Sequence, residues 1–448
     1  MSEPIISVSG LRGIVGDSLT PELALRFAVA FAAGLSDGPI VLSRDGRTTG
    51  RMLADILRGA LCAAGRDVID ADVAATPTLG VLVRATRAAG GIQISASHNP
   101  PEYNGLKLFA PDGRVLTAAA GNVVLDRFRN GKPQWVGYQR IGTSRRCEDT
   151  LSDHLGLVTA VVDVERIRRF GFHVLLDSNH GSGALLGKRL LEYLGCQVTV
   201  LGAEPTGQFA HPPEPTAENL ISVGDRVRSA KAAVGFCQDP DADRLALIDA
   251  SGSYVGEEYT LAVCVAHVLN SRSGPIVTNC STSRMTEDLT LRAGLPFHRS
   301  AVGEANVVDM MKSVGAAFGG EGNGGPIDPR VGYVRDSFVG MALVLDAMSA
   351  RDATLSQLIA EIPRYAIHKA KLELPREKIA PALDQLAKSF PGAEVNRMDG
   401  VRLDWPGKWL LVRASNTEPI VRLISEAPTP TESAALCEQA EAVMRDRS

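Results

Sequence analysis

From Thr20 to Ser95 the sequence alternates between amphipathic segments of helix length and short apolar runs, and no feature restricts the fold more. Thr20-Pro21-Glu22-Leu23 has the chemistry of a helix start: a hydroxyl to cap, Pro at the first helical position and an acid in the first turn. Leu23, Phe27 and Phe31 then recur four apart. The pattern predicts a helix to Gly34, a buried strand over 39–42, a helix over 52–64, a strand over 67–71, a helix over 78–87 and a strand over 92–95. Such alternation implies βαβ units and a mainly parallel sheet covered by helices on both faces.

The pattern restarts twice. Strands are expected over 173–177 and 197–201, helices over 184–194 and 219–231, and 234–236 and 245–248 flank an acidic loop. A third set has helices over 257–269 and 336–348 about a strand at 276–278. After Ile367 come a helix over 379–388, strands over 401–405 and 409–413 around Pro406-Gly407, and a last helix over 431–445, which is the texture of a small α+β unit. The expected fold class is therefore α/β, with three similar domains of mixed, mainly parallel sheets at 1–152, 153–253 and 254–365. A smaller α+β domain at 366–448 follows. A length of 448 residues suits this count at roughly 150 residues per domain.

Composition narrows the partners. The net charge of -4, from 47 Lys+Arg against 51 Asp+Glu, provides no basic field for nucleic acid or an anionic membrane, so any anion must be held by local clusters. The seven cysteines, at 62, 147, 196, 237, 264, 280 and 437, form no CxxC pair, which argues against a zinc site and a disulfide framework. The first ten residues lack a basic stretch followed by an apolar one, and no apolar run approaches the roughly 20 residues of a bilayer span. The expectation is a cytoplasmic protein.

Six segments carry chemistry. Asp239-Pro240-Asp241-Ala242-Asp243-Arg244 crowds three carboxylates at spacing two between apolar strands, an arrangement that calls for a cation. Oxygen-only ligands suit Mg²⁺, and the positions where a calcium loop needs Gly and Glu hold Arg244 and Ala250. Ser95-Ala96-Ser97-His98-Asn99-Pro100 leaves a predicted strand and opens into a polar loop reaching Lys107. Ser97 and His98, as neighbours in an extended segment, are expected to point to opposite sides, and no G-x-S-x-G elbow surrounds the Ser. Arg413-Ala414-Ser415-Asn416-Thr417, with Arg422 beyond, gathers the donors a phosphate needs. Ser9-Gly10-Leu11-Arg12-Gly13 and Ser43-Arg44-Asp45-Gly46-Arg47 set Arg beside Gly, and 319–325 offers Glu321 and Asn323 on an almost bare backbone. Singly, these last clusters read as structural more often than functional.

Together, SGLRG, SASHNP, DPDADR, GGEGNGG and RASNTEP, in that order along the whole chain, resemble the α-D-phosphohexomutases. That resemblance implies three α/β domains and a smaller fourth around a central cleft. It implies Ser97 as phosphoserine, and Asp239, Asp241 and Asp243 holding Mg²⁺ together with a phosphoseryl oxygen. Arg12, Arg244, His98 and Lys107 match family positions around the phosphoryl group. Glu321 matches a carboxylate that grips sugar hydroxyls, with Asn323 beside it, and Arg413, Ser415, Asn416, Thr417 and Arg422 match the site of the phosphate not being transferred. Many mutases read G-E-x-S-G-H in the sugar loop, whereas here Asn323 stands for the Ser and Gly325 for the His.

Charge arithmetic agrees with this. Three carboxylates and a phosphoserine of about -2 sum to about -5, which Mg²⁺ lowers only to about -3, so several cations are required. The resemblance implies interconversion of a hexose 6-phosphate and its 1-phosphate through a 1,6-bisphosphate, which also serves as activator. The enzyme would act as monomer or homodimer. The GGEGNGG loop, the SGLRGIVG start and Val302-Gly303-Glu304-Ala305-Asn306 look like phosphoglucosamine mutases of the archaeal kind, with phosphomannomutase or phosphoglucomutase the alternative. A silent sugar-phosphate-binding protein fits less well, since Ser97 and all three aspartates are intact, and so does a phosphatase with Asp239 as nucleophile, since Asp239-Pro240-Asp241-Ala242-Asp243 lacks the Thr or Val such enzymes usually place after the second aspartate.

Overall fold

Alternation of side chains along the strands sets the layers of the first sheet. In the computed structural model, which describes residues 3–7, 10–414 and 420–445, Ile40, Leu42, Ile92 and Ile94 pack against helices Pro21–Ala32, Gly50–Ala63 and Ala118–Asn130. Their neighbour Val41, with Ile69 and Phe109, faces the other way, against helix Thr76–Ala85. Thr20 caps the first helix as expected, its Oγ1 accepting the Leu23 N–H at 3.2 Å. The seven strands run in the order Ile5–Ser7, Gly10–Ile14, Tyr103–Phe109, Gly90–Ile94, Ile40–Arg44, Val68–Val73, Ser144–Arg146. Pairings among the last four are parallel, and those that carry Gly10–Ile14 and Tyr103–Phe109 are antiparallel.

The strand Tyr103–Phe109 corrects the expected polar loop. Leu106 and Leu108 alternate inward onto one core, but Asn104 and Lys107 are buried as well, and two polar residues in seven conceal a strand period. Lys107 thus stands on a sheet rather than a loop.

Two four-stranded sheets follow, ordered Leu245–Asp249, Val234–Gln238, His173–Asp177, Gln197–Leu201 and Phe297–Ser300, Ile276–Asn279, Phe318–Glu321, Gly325–Ile327. Each has parallel pairings and one antiparallel hairpin, and the hairpin turns are the acidic loop and the glycine-rich loop at 322–324. Helix Ser337–Arg351 is buried along nearly its whole length, as its all-round apolar sequence requires, and shares one core with residues of both sheets. The last sheet is antiparallel, ordered Ala366–Glu373, Ile420–Ala427, Lys408–Ala414, Val401–Trp405, Glu394–Asn396. One of its faces packs on helices Arg376–Ser389 and Pro430–Arg445, and the other lays Trp409 and Leu411 against Cys280 of the third unit. All seven cysteines are free. No helix among the described residues is long and apolar enough to cross a membrane.

Candidate active site

The first sheet delivers Ser97 just beyond strand Gly90–Ile94, and there the backbone takes φ +51°, a left-handed conformation that an L-residue adopts only under constraint. The constraint is visible. The Ser97 N–H donates to Ser95 Oγ at 2.8 Å, and the Ser95 hydroxyl donates to Asp45 Oδ2 at 2.6 Å. Arg47, 1% exposed, then donates to the carbonyls of Ser97 at 2.7 Å, Asn99 at 2.6 Å, Pro100 at 2.6 Å and Tyr103 at 3.0 Å, with Nε on Asp45 at 3.2 Å. One buried guanidinium therefore laces the whole loop. Sequence reasoning left Arg47 in a weak cluster, and its only signal was an arginine two residues after an aspartate at a strand end.

The left-handed turn also corrects the expectation that Ser97 and His98 point apart: His98 Nδ1 lies 3.4 Å from Ser97 Oγ. Burial, with Arg244 and Arg12 beside it, pushes His98 down to about 2, so the imidazole is neutral. The shorter contact of the Ser97 hydroxyl is its donation to Asp239 Oδ2 at 2.8 Å.

The acidic loop turns through a left-handed Ala242, at φ +56°, which directs three buried carboxylates to one point. Asp239, Asp241 and Asp243 each offer an oxygen, and these lie within 4.8 Å of one another. Asp239 Oδ1 accepts the Arg244 N–H at 3.1 Å. Asp241 Oδ2 accepts Thr76 Oγ1 at 2.5 Å and Lys107 Nζ at 3.0 Å, and Asp243 Oδ2 accepts Lys107 Nζ at 2.9 Å and Arg335 Nη2 at 2.6 Å. The Oδ1 atoms of Asp241 and Asp243 are buried with no hydrogen-bond partner among the described residues. Burial, then Asp241 and Asp243, push Asp239 well above the usual carboxylate range. Against the same burial, Lys107 and Thr76 hold Asp241 low, and Arg335 and Lys107 hold Asp243 low. Burial opposes the Lys107 ammonium too, but Asp241, Asp243 and Glu304 outweigh it and keep it charged. Inward oxygens with fewer donors than lone pairs are the donor set of a hard divalent cation, and these residues fit one.

Arg12 and Arg244 border the same space. Arg12 Nη1 donates to Asn99 Oδ1 at 3.3 Å, and Arg244 Nε lies 4.0 Å from Asp243 Oδ1 with no hydrogen-bond partner among the described residues.

Arg335, which sequence reasoning missed, joins the acidic loop to the glycine-rich loop. Besides Asp243 it binds Glu321 Oε2 through Nη1 at 3.0 Å, and Glu304 accepts its backbone N–H at 2.8 Å. Burial opposes its charge, but Asp243, Glu304 and Glu321 more than compensate and raise its pKa. A Cβ at Gly325 would meet Arg335 Cδ at 2.4 Å, so the missing side chain there is the room Arg335 occupies. Its one trace in the sequence was a cation just ahead of a mostly apolar helix.

Beyond Glu321 a cavity of about 280 Å³ opens between the third unit and the last, lined among others by Glu258, Asn323, Lys369, Lys371, Arg413 and Arg422. Asn323 Oδ1 has no partner among the described residues. Strand register places Lys371, Arg422 and Arg413 directly opposite one another across three strands. Like charges so placed repel, and only Arg413 has a carboxylate beside it among the described residues, Asp399 at 2.9 Å. Such a row is built for an anion. Ser415, Asn416 and Thr417 lie outside the described residues. Two larger hollows, of about 560 and 640 Å³, share no residue with this site, so size alone does not locate the chemistry.

Four family profiles match in order along the chain. These are phosphoglucomutase/phosphomannomutase alpha/beta/alpha domains I, II and III over 5–134, 152–252 and 257–365, and the C-terminal domain over 370–443. A phosphoglucomutase/phosphomannomutase of Thermococcus kodakarensis is 36% identical over 427 residues, covering 93% of each chain. A probable phosphoglucosamine mutase of Thermococcus gammatolerans is 34% identical over 443 residues, covering 98% of this chain and 97% of its own. A phosphoglucomutase/phosphomannomutase family protein of Burkholderia thailandensis superposes with TM-score 0.84 at 25% identity, over 99% of this chain and 97% of that one. Motif order, fold and relatives along the full length agree, and the chain belongs to the α-D-phosphohexomutase family, that of the phosphoglucomutases and phosphomannomutases.

Proposed function

We propose that this phosphohexomutase interconverts glucosamine 6-phosphate and glucosamine 1-phosphate, with Ser97 as the phosphoryl carrier. The observation that carries the reading is the Ser97 hydroxyl donating to Asp239 Oδ2 at 2.8 Å, on a loop whose conformation Arg47 enforces and beside carboxylate oxygens left without donors. Asp239, Asp241 and Asp243 would hold Mg²⁺, which when bound neutralises charge on the phosphoryl oxygens. Lys107 and Arg335 keep Asp241 and Asp243 ionised and in place, and Arg12 and Arg244 balance the phosphoryl group's remaining charge. In transfer, the Oγ–P bond of phospho-Ser97 breaks as a sugar hydroxyl oxygen bonds phosphorus, and the proton the hydroxyl gives up is matched by one taken up at Ser97 Oγ. The 1,6-bisphosphate so formed turns over in the cleft, and the other phosphate returns to Ser97.

Lys371, Arg413 and Arg422 hold the phosphate that is not reacting, with Ser415, Asn416 and Thr417 completing that site. Glu321 is braced by Arg335 and Asn279, and with Asn323 it faces the sugar. The glucosamine assignment is supported by the GGEGNGG loop, by Val302 to Asn306, and by relatives named probable phosphoglucosamine mutases. Glucose or mannose phosphate is the second reading, favoured by the relative named phosphoglucomutase/phosphomannomutase at 36% identity.

Because one clamp must grip the 6-phosphate in one half-reaction and the 1-phosphate in the other, Arg422→Ala is expected to lower kcat/KM in both directions alike. The loss should be about one to two decades, the worth of one charge-assisted hydrogen bond. Coupled assays with glucosamine 6-phosphate and glucosamine 1-phosphate test both statements. No turnover of either by the wild type would overturn the function, and an Arg422→Ala variant whose Kd or kcat/KM is unchanged for either sugar phosphate would overturn the shared clamp.

A further inference from the structure

The two carboxylates of the cavity beside the cationic row are not equivalent. Glu321 already has three donors: its Oε1 accepts Asn279 Nδ2 at 2.7 Å and the Gly303 N–H at 3.2 Å, and its Oε2 accepts Arg335. Glu258, in the first turn of helix Glu257–Val268, has one donor among the described residues, the Ser283 N–H at 3.0 Å to Oε2. Its other oxygen has none. Lys369 lines the same cavity yet forms no ion pair with it.

The sugar loop is shaped around this carboxylate. A Cβ at Gly322 would lie 2.0 Å from Glu258 Oε2 and 2.2 Å from Oε1, so both oxygens rest against bare backbone that any other residue would fill. Burial pushes the Glu258 carboxyl up to about 8, with Glu426 and Glu257 adding to it and the Ser283 N–H and Lys369 opposing. A carboxylate desolvated in this way gains most from a cation brought by the ligand. Lys371, Arg422 and Arg413 meanwhile make another part of the cavity a phosphate site. The cavity is bipolar, and a molecule with an ammonium and a phosphate matches both ends.

We propose that Glu258 is the specificity-determining carboxylate of this cavity, receiving the ammonium of an amino-sugar phosphate and so separating it from the neutral-sugar phosphates. The inference rests on the phosphohexomutase reading of the cavity. Its test compares wild type, Glu258→Gln and Glu258→Asp by calorimetric titration with glucosamine 6-phosphate and glucose 6-phosphate in Mg²⁺, and by turnover of both. Gln keeps the shape and the acceptor for Ser283 while removing the charge, and an unchanged Tm checks the fold.

The preference for glucosamine 6-phosphate, taken as the ratio of Kd and of kcat/KM, is expected to fall at least about tenfold in Glu258→Gln, the size of one charge-assisted hydrogen bond. Glucose 6-phosphate should change by less than about threefold, and Glu258→Asp should restore part of the preference. Equal losses on both sugars, an unchanged preference, or no preference in the wild type would each overturn the proposal. Binding and turnover separate the two readings. A Glu258-dependent preference in binding without turnover would leave this inference standing and sink the mutase function. Turnover with a preference that Glu258→Gln retains would do the reverse.

Discussion

Ser97→Ala is expected to lower mutase turnover by at least about a thousandfold, because it removes the one covalent carrier we propose while leaving binding and the charged surroundings in place. The fold should survive. Ser97 sits in a loop held by Arg47 through backbone carbonyls, and the alanine keeps all of those. The hydroxyl itself contributes one hydrogen bond, to Asp239, worth about 1 kcal/mol net. Steady-state assays with and without added hexose 1,6-bisphosphate, alongside Tm, check both halves. Turnover near that of the wild type with added bisphosphate would contradict the carrier role, whereas traces would not, since the bisphosphate can carry phosphate between substrates.

Arg335→Met should have the largest effect on stability. It leaves Asp243, Glu304 and Glu321 buried around a neutral side chain, and breaking a buried ion pair from one side costs about 3–5 kcal/mol. Thermal and urea unfolding should both show the loss. Mg²⁺ should recover part of it, because a cation bound at Asp243 supplies some of the missing charge. Turnover should fall as well, since Arg335 ties the acidic loop to the sugar loop. A variant as stable as the wild type without Mg²⁺ would show that the three carboxylates take up protons at little cost.

Much of this architecture was legible in the chain because apolar period and helix caps are local. Strands His173–Asp177, Gln197–Leu201 and Val401–Trp405 fall at the residues expected, and Thr20 caps as its sequence says. What could not be read was set by the site. Tyr103–Phe109 hides its period behind buried Asn104 and Lys107, and Lys107 is buried because Asp241 and Asp243 lie across the domain junction. The turn at Ser97 depends on Arg47, some fifty residues earlier, so a local rule about extended chains placed His98 on the wrong side.

Of the site, the motif residues were legible as types: three aspartates, a serine, and arginines near the end. Their bracing was not. Arg335 and Glu258 stand outside any motif and Arg47 in a weak one, and each acquires its meaning from partners distant in the chain that folding brings close. The row formed by Lys371, Arg422 and Arg413 likewise exists only in the register of the last sheet.

The central claim is that Ser97, and not an aspartate of the acidic loop, carries the phosphoryl group. Incubating the protein with Mg²⁺ and glucosamine 1,6-bisphosphate, then locating phosphate by intact mass and fragment mass spectrometry under acid, tests it directly. One acid-stable phosphoryl group is expected on Ser97, absent from Ser97→Ala and discharged when glucosamine 6-phosphate is added. Phosphate on Asp239 that is labile at alkaline pH, or a protein that takes up none, would contradict it.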